Sequence, residues 1–403
     1  MRRGCFLFFI NLVPVSLALP MGAWAQQQAK PVTIGESIEL PSTVLKESRS
    51  ILIAKPAGYE SGYERYPVLY LLDGEAHFAF ASSIVRFLAA SDRIPNFLVV
   101  GISSGTFAQR TRDLTPASTS EIDNRFLPGN GGADAFLAFV ADELIPYIDK
   151  TYRTRPYRLL AGHSFGGLFA IHSLLSKPRL FNAYIVADPT LTWNSQAVIG
   201  QAESFFGRTK ALQGDLYLTA ANASGGVPTG VRRFVAVLDE KAPAGFQWNM
   251  EWMKDETHSS IPLRSLYQGL ETIFSRWHLT DPLGLYNKGG LEAIHRHFRE
   301  GGKRFGYDRT TSPFTVSLVV SGLIKAGRLK EASDVVLHDP KAYPPPWNQL
   351  DALARAYASE GNAEQAIRHY KLSLQENPRS DWARQKLTEM GVNVESLLKE
   401  QNP

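Results

Sequence analysis

The chain has 403 residues, of which 44% are hydrophobic and 20% charged, with 32 Gly, 24 Pro and a single Cys. This balance excludes a disordered, collagen-like or disulfide-stapled chain, and the length predicts one large domain with a smaller one beside it. The formal net charge of +4 comes from 43 basic and 39 acidic residues spread along the sequence. Without a concentrated Lys/Arg run, nucleic acid is not expected as a partner.

Residues 1–25 read as an export signal. Arg2 and Arg3 precede an apolar stretch over 5–19 that Asn11 and Pro14 interrupt, and Ala23-Trp24-Ala25 makes an A-x-A cleavage site before Gln26. The stretch falls short of the roughly 20 clean apolar residues of a membrane span, and no later one is long enough. A soluble exported protein, periplasmic or secreted, is therefore expected. Cleavage takes Arg2 and Arg3 from the basic total and nothing from the acidic one, leaving a net charge of +2, and it removes Cys5. The mature chain then has no thiol for a disulfide, for thiol catalysis or for a Cys-based metal site.

From there the pattern predicts eight strands, over 33–40, 50–55, 67–72, 97–103, 158–161, 183–187, 215–220 and 246–253. Val68-Leu69-Tyr70-Leu71-Leu72 and Phe97-Leu98-Val99-Val100 are near-continuous apolar runs. Such runs suit strands buried on both faces of a parallel sheet. Helical periodicity fills the gaps: Phe136, Phe139, Val140, Leu144, Ile145 and Ile148 mark a helix over 135–150, and another over 168–175 follows the fifth strand. Alternation of strand and helix predicts an α/β fold with a mostly parallel eight-stranded sheet.

Gly162-His163-Ser164-Phe165-Gly166-Gly167 lies where the fifth strand ends and a helix begins. That is the setting of a nucleophile elbow, in which glycines at 162 and 166 remove Cβ atoms that would meet the crossing chain. Ser164 is the candidate nucleophile, and Phe165 can turn its backbone N–H toward a developing oxyanion. The second donor is expected from the turn after the third strand, at Gly74, with Asp73 bracing that turn. A serine nucleophile needs a base near neutrality. His258 follows the last strand and is the candidate. His163 flanks the nucleophile and is expected to point elsewhere, His77 lies too early, and His172 falls inside the helix behind Ser164. The acid of such a triad normally follows the seventh strand, yet Ala221-Asn222-Ala223-Ser224-Gly225-Gly226 holds no carboxylate. Asp188 at the end of the sixth strand, Asn222 as a neutral orienter, and the nearby Glu256 remain as candidates, and a Ser-His dyad is a further option.

Residues 32–277 resemble the putative-esterase family of α/β-hydrolases, which includes siderophore esterases. The resemblance rests on Leu71-Leu72-Asp73-Gly74, Arg112-Asp113-Leu114-Thr115-Pro116, Asp142-Glu143-Leu144-Ile145-Pro146-Tyr147-Ile148, Gly162 to Gly167, and Glu256-Thr257-His258-Ser259-Ser260-Ile261-Pro262. It implies an α/β-hydrolase domain over 26–280 and ester hydrolysis with Ser164 as nucleophile and His258 as base, without cofactor or metal. The family often carries Ser-Pro-Ser and then tryptophans after the sixth strand. Here the stretch is Asp188-Pro189-Thr190-Leu191-Thr192-Trp193, which alters a pocket wall.

The tail over 281–403 has another character. Gly327 and Gly361 are 34 residues apart, as are Ala332 and Ala366, and Trp347, Leu350, Tyr357, Tyr370 and Pro378 fit the tetratricopeptide pattern. About two repeats and a closing helix are expected, packed on the hydrolase domain or another copy and suited to a protein partner or homodimer. Two function classes follow: a serine esterase acting on a small-molecule ester, or a binding scaffold on a hydrolase fold, suggested by the absent acid and the repeat tail. An acyltransferase is an intermediate reading, since an alcohol can intercept an acyl-serine in place of water.

Overall fold

The computed structural model describes residues 31–221, 226–338 and 347–400. The expected signal over 1–25 and Asn222 lie outside the described residues. From Ile34 onward the described residues belong to one compact unit.

All eight expected strands are present: β1 Glu36–Ser42, β2 Glu47–Ala54, β3 Tyr66–Leu72, β4 Leu98–Ile102, β5 Thr154–His163, β6 Ala183–Ala187, β7 Ala211–Ala221 and β8 Ala244–Met253. They form one sheet in the order β1-β2-β4-β3-β5-β6-β7-β8. β1, β2 and β4 pair antiparallel; from β4 to β8 every pairing is parallel. β3, β4 and β6 are buried at every residue, as their unbroken apolar runs require.

Helices cover both faces. α1 Gly74–Ala90 follows β3. After β4 come α2 Phe107–Leu114, α3 Glu121–Phe126 and α4 Ala133–Ala138, the last continued by a π-helical turn, Phe139–Leu144, into α5 Ile145–Thr151. α6 Phe165–Ser176, α7 Trp193–Arg208, α8 Gly226–Lys241 and α9 Ile261–Ile273 follow β5, β6, β7 and β8. One core unites Phe136, Phe139, Leu168, Phe169, Phe206 and Phe234 with one face of the sheet. On the other face Phe78, Leu88, Leu266, Leu270 and Phe274 build a second.

The tail holds α10 Pro282–Arg304, α11 Pro313–Lys325, α12 Leu329–Val336, α13 Trp347–Ser359, α14 Ala363–Glu376, α15 Asp381–Glu389 and α16 Val394–Glu400. The 34-residue spacing appears as a repeated turn. Gly327 and Gly361 both take left-handed φ, 70° and 77°, after α11 and α13. Arg328 N–H donates to Leu323 O and Asn362 N–H to Tyr357 O, each at 2.9 Å, closing the two helices in the same way. Ala332 and Ala366 are fully buried in the tail's own core. α15 and α16 form a third pair where a single closing helix was expected, again joined through a left-handed glycine, Gly391.

The segment after α10 docks on the sheet domain. Phe305 packs with Tyr157, Phe274 and Trp277, its ring 4.5 Å from that of Phe274. Arg309 lies over Trp277 at 3.7 Å and pairs with Asp92 at 2.8 Å, while Arg304 pairs with Asp215.

Candidate active site

The parallel strands β3, β5, β6 and β7 all end at the same edge of the sheet, and there the chain repeatedly takes up left-handed backbone at residues with a side chain. Asp73, Ser164 and Asp188 have φ of 54°, 60° and 41°. Each such residue costs on the order of 1–3 kcal/mol and persists only where its surroundings over-determine it. At Ser164, with ψ of −117°, the turn is the expected elbow. A Cβ on Gly162 would stand 2.3 Å from Gly166 O, so only glycine lets β5 pass this close beneath α6.

The loop after β6 is tied to this elbow. Ser164 N–H donates to Ala187 O, and Thr190 N–H donates to Ser164 O, both at 3.1 Å. Asp188 in that loop is fully buried. Its Oδ1 accepts the N–H of Ala221 at 3.1 Å, and its Oδ2 lies 2.6 Å from His258 Nδ1. The carboxylate at the end of β6 thus reaches the histidine after β8. Glu256 does not: it accepts Ser260 Oγ–H at 2.6 Å and closes the turn that carries His258. Asn222 falls outside the described residues. Ser164 Oγ stands 3.3 Å from Thr190 Oγ1, its hydrogen-bond partner here, rather than against His258.

His163 does not point elsewhere. Its ring lies 4.5 Å from that of His258, and His77 follows at 6.0 Å, so three imidazoles stand in a row. Burial, reinforced by the neighbouring His258 and His77, pushes His163 down to about 4, which keeps it neutral beside the candidate base. His172 instead pairs with Asp134 at 2.9 Å, away from this edge.

Phe165 opens α6 and Gly74 opens α1. A Cβ on Gly74 would be 2.9 Å from the Gly101 carbonyl carbon, so the turn presses against β4. Asp73 braces it, as expected, but through a residue that sequence reasoning missed. Arg110 on α2 forks onto Asp73, Nε to Oδ1 at 2.6 Å and Nη2 to Oδ2 at 2.8 Å, and Ser104 Oγ donates to Oδ1 at 2.7 Å. Burial pushes the Asp73 carboxyl up, yet Arg110 and Ser104 together hold it below the usual carboxylate range. The altered wall after β6 is visible too: Trp193 Nε1–H donates to Pro116 O at 2.8 Å, and its ring meets Phe165 edge-on at 5.7 Å.

Residues 42–237 match the family described as "Putative esterase". A ferri-bacillibactin esterase of Bacillus subtilis is 34% identical over 158 residues, which is 36% of this chain and 55% of that one. The chain spans about half the length of the curated relatives it matches. Among solved structures, an IroE-like serine hydrolase from Shewanella oneidensis aligns over 75% of this chain and 97% of its own, with 28% identity and a TM-score of 0.61. An uncharacterised protein from Capnocytophaga ochracea shares the fold over 89% of this chain and 99% of its own, at 16% identity and a TM-score of 0.59. A mostly parallel eight-stranded sheet of the α/β-hydrolase kind, followed by a helical tail, thus matches the putative-esterase family over residues 42–237 and is similar in part to siderophore esterases.

Proposed function

We propose that the protein is a serine carboxylic-ester hydrolase that works through an acyl-serine on Ser164. The observation that carries this reading is the 2.6 Å contact of His258 Nδ1 with a fully buried Asp188, on the loop hydrogen-bonded to the Ser164 elbow. With Nδ1–H donating to Asp188, the free Nε2 is the tautomer that accepts a proton. Ser164 Oγ turns from Thr190 to His258 when substrate arrives, since such contacts commonly tighten only in the reacting complex. It adds to the ester carbonyl as His258 takes its proton, and the oxyanion accepts the N–H groups of Phe165 and Gly74. The intermediate collapses with cleavage of the C–O bond as His258 returns the proton to the leaving oxygen, so that a neutral alcohol departs. Water then repeats the sequence on the acyl-serine.

The scaffold alternative, suggested by the missing carboxylate after β7 and by the repeat tail, is disfavoured by the contact of Asp188 with His258. The siderophore esterases among the relatives favour a bulky siderophore-type ester as substrate. Export through residues 1–25 fits such a substrate, and the tail is read as a tetratricopeptide-like packing module that shapes access or holds a partner. A fluorophosphonate probe and p-nitrophenyl esters test the chemistry. Ser164→Ala and His258→Ala are each expected to abolish hydrolysis, and Ser164→Ala to abolish labelling, a loss on the order of a million-fold for a triad nucleophile. Labelling of Ser164→Ala at the wild-type level overturns the assignment.

A further inference from the structure

Arg110 joins two segments far apart in sequence, the turn at Asp73 and the Ser164 elbow. Besides its fork onto Asp73, its Nη2 donates to His163 O at 3.3 Å, and its guanidinium lies over the Phe165 ring at 5.6 Å. One side chain therefore grips the turn that presents Gly74 and both residues that flank Ser164. The carboxylate it neutralises stands against the first turn of α6: a Cβ built on Gly166 would be 3.4 Å from Asp73 Oδ2. Asp73 is 5% exposed, so solvent does little to screen it.

Two consequences compete for this geometry. A helix N-terminus stabilises an anion through its free N–H groups and the helix dipole. An unpaired carboxylate in the same place would occupy that field and repel a second anion forming on the substrate, an effect magnified where water is excluded. A planar fork removes the repulsion and at the same time fixes the angle between the two turns, which a lysine's single ammonium does less well.

We propose that Arg110 and Asp73 are positioning residues of the oxyanion site: the arginine locks the Gly74 and Phe165 turns together and cancels the Asp73 charge beside the developing oxyanion. The inference rests on the esterase reading above and goes beyond it by assigning an electrostatic duty to a pair outside the proposed Ser164, His258 and Asp188 triad.

The test is a double-mutant cycle on the full chain, with kcat and KM for a p-nitrophenyl ester, labelling of Ser164, and thermal melting to establish folding. Arg110→Met leaves a bare buried carboxylate, and kcat is expected to fall about 100-fold or more with KM within a few-fold, the size of losing one oxyanion donor. Adding Asp73→Asn removes that charge, and the double variant is expected to recover at least about ten-fold in kcat over Arg110→Met. A pair that merely braces the turns gives no recovery, so a double variant as slow as Arg110→Met overturns the proposal. Should Arg110→Met fail to fold, Arg110→Lys decides the point: kcat within about thirty-fold of wild type supports the charge role, and a larger fall overturns it. A wild-type chain that neither labels at Ser164 nor hydrolyses esters overturns the esterase reading and this inference together; an active wild type without recovery in the double variant overturns this inference alone.

Discussion

Asp188→Asn keeps the shape of the side chain and removes its charge. The carboxamide oxygen can still accept the N–H of Ala221, as Oδ1 does at 3.1 Å. Its NH2 group then faces His258 Nδ1, now 2.6 Å from Oδ2. A donor there demands an unprotonated Nδ1, which moves the imidazole proton to Nε2, the nitrogen that must accept the proton of Ser164. The imidazolium formed during acyl transfer also loses its counter-ion. Unit charges about 4 Å apart at an effective dielectric near 20 interact by about 4 kcal/mol. Because 43% of the His258 side chain is exposed, solvent screening reduces this to about 2–3 kcal/mol. With the tautomer penalty added, kcat is expected to fall about 100- to 10,000-fold while KM changes little. Steady-state hydrolysis of p-nitrophenyl butyrate, beside thermal melts that establish folding, reads this directly. A folded Asp188→Asn with kcat within about five-fold of wild type refutes the triad and leaves Ser164 and His258 as a dyad.

His163→Phe bears on acid stability. Since His163 is held at about 4 in the folded protein, against 6.5 for an ordinary histidine, acidification from about 6.5 to 4 protonates the unfolded chain first and favours unfolding. His163→Phe is expected to flatten this part of the stability profile by up to about 3 kcal/mol, read by denaturant melts at stepped pH; an unchanged slope contradicts it. Phe305→Ala removes the ring that fills the space between Tyr157, Phe274 and Trp277. It is expected to cost about 3 kcal/mol or more and lower the melting temperature while Ser164 still labels at 25 °C; an unchanged melt contradicts the docking role.

The sheet was legible because its central strands are buried on both faces, and a short run such as Val68-Leu69-Tyr70-Leu71-Leu72, closed by the turn at Asp73-Gly74, suits a strand buried in that way. The elbow was legible because its constraints are local: strand, glycines and helix follow one another within a few residues. Asp188 could only be one candidate among several, because its partnership with His258 spans 70 residues and depends on how two loops meet above the sheet. Arg110 was missed for the same reason, its partners Asp73 and His163 lying 37 and 53 residues away. His163 was misjudged because β5 brings its ring to the loop after β8, a proximity that no local pattern encodes. The docking of Phe305 and Arg309 on the sheet domain has no sequence period to announce it, unlike the turns at Gly327 and Gly361.

Those recurring turns bear on how the tail can change over time. From α11 onward the main packing runs between adjacent helices, around cores separate from the two that flank the sheet. The attachment to the sheet domain is made upstream, by Arg304, Phe305 and Arg309. Hairpins can therefore be gained or lost in whole units at the far end without reworking the join. Tail length is a quantity that descent can vary while the edge of the sheet that carries Ser164 stays under its own constraints, and close relatives with identical elbows need not have tails of equal reach.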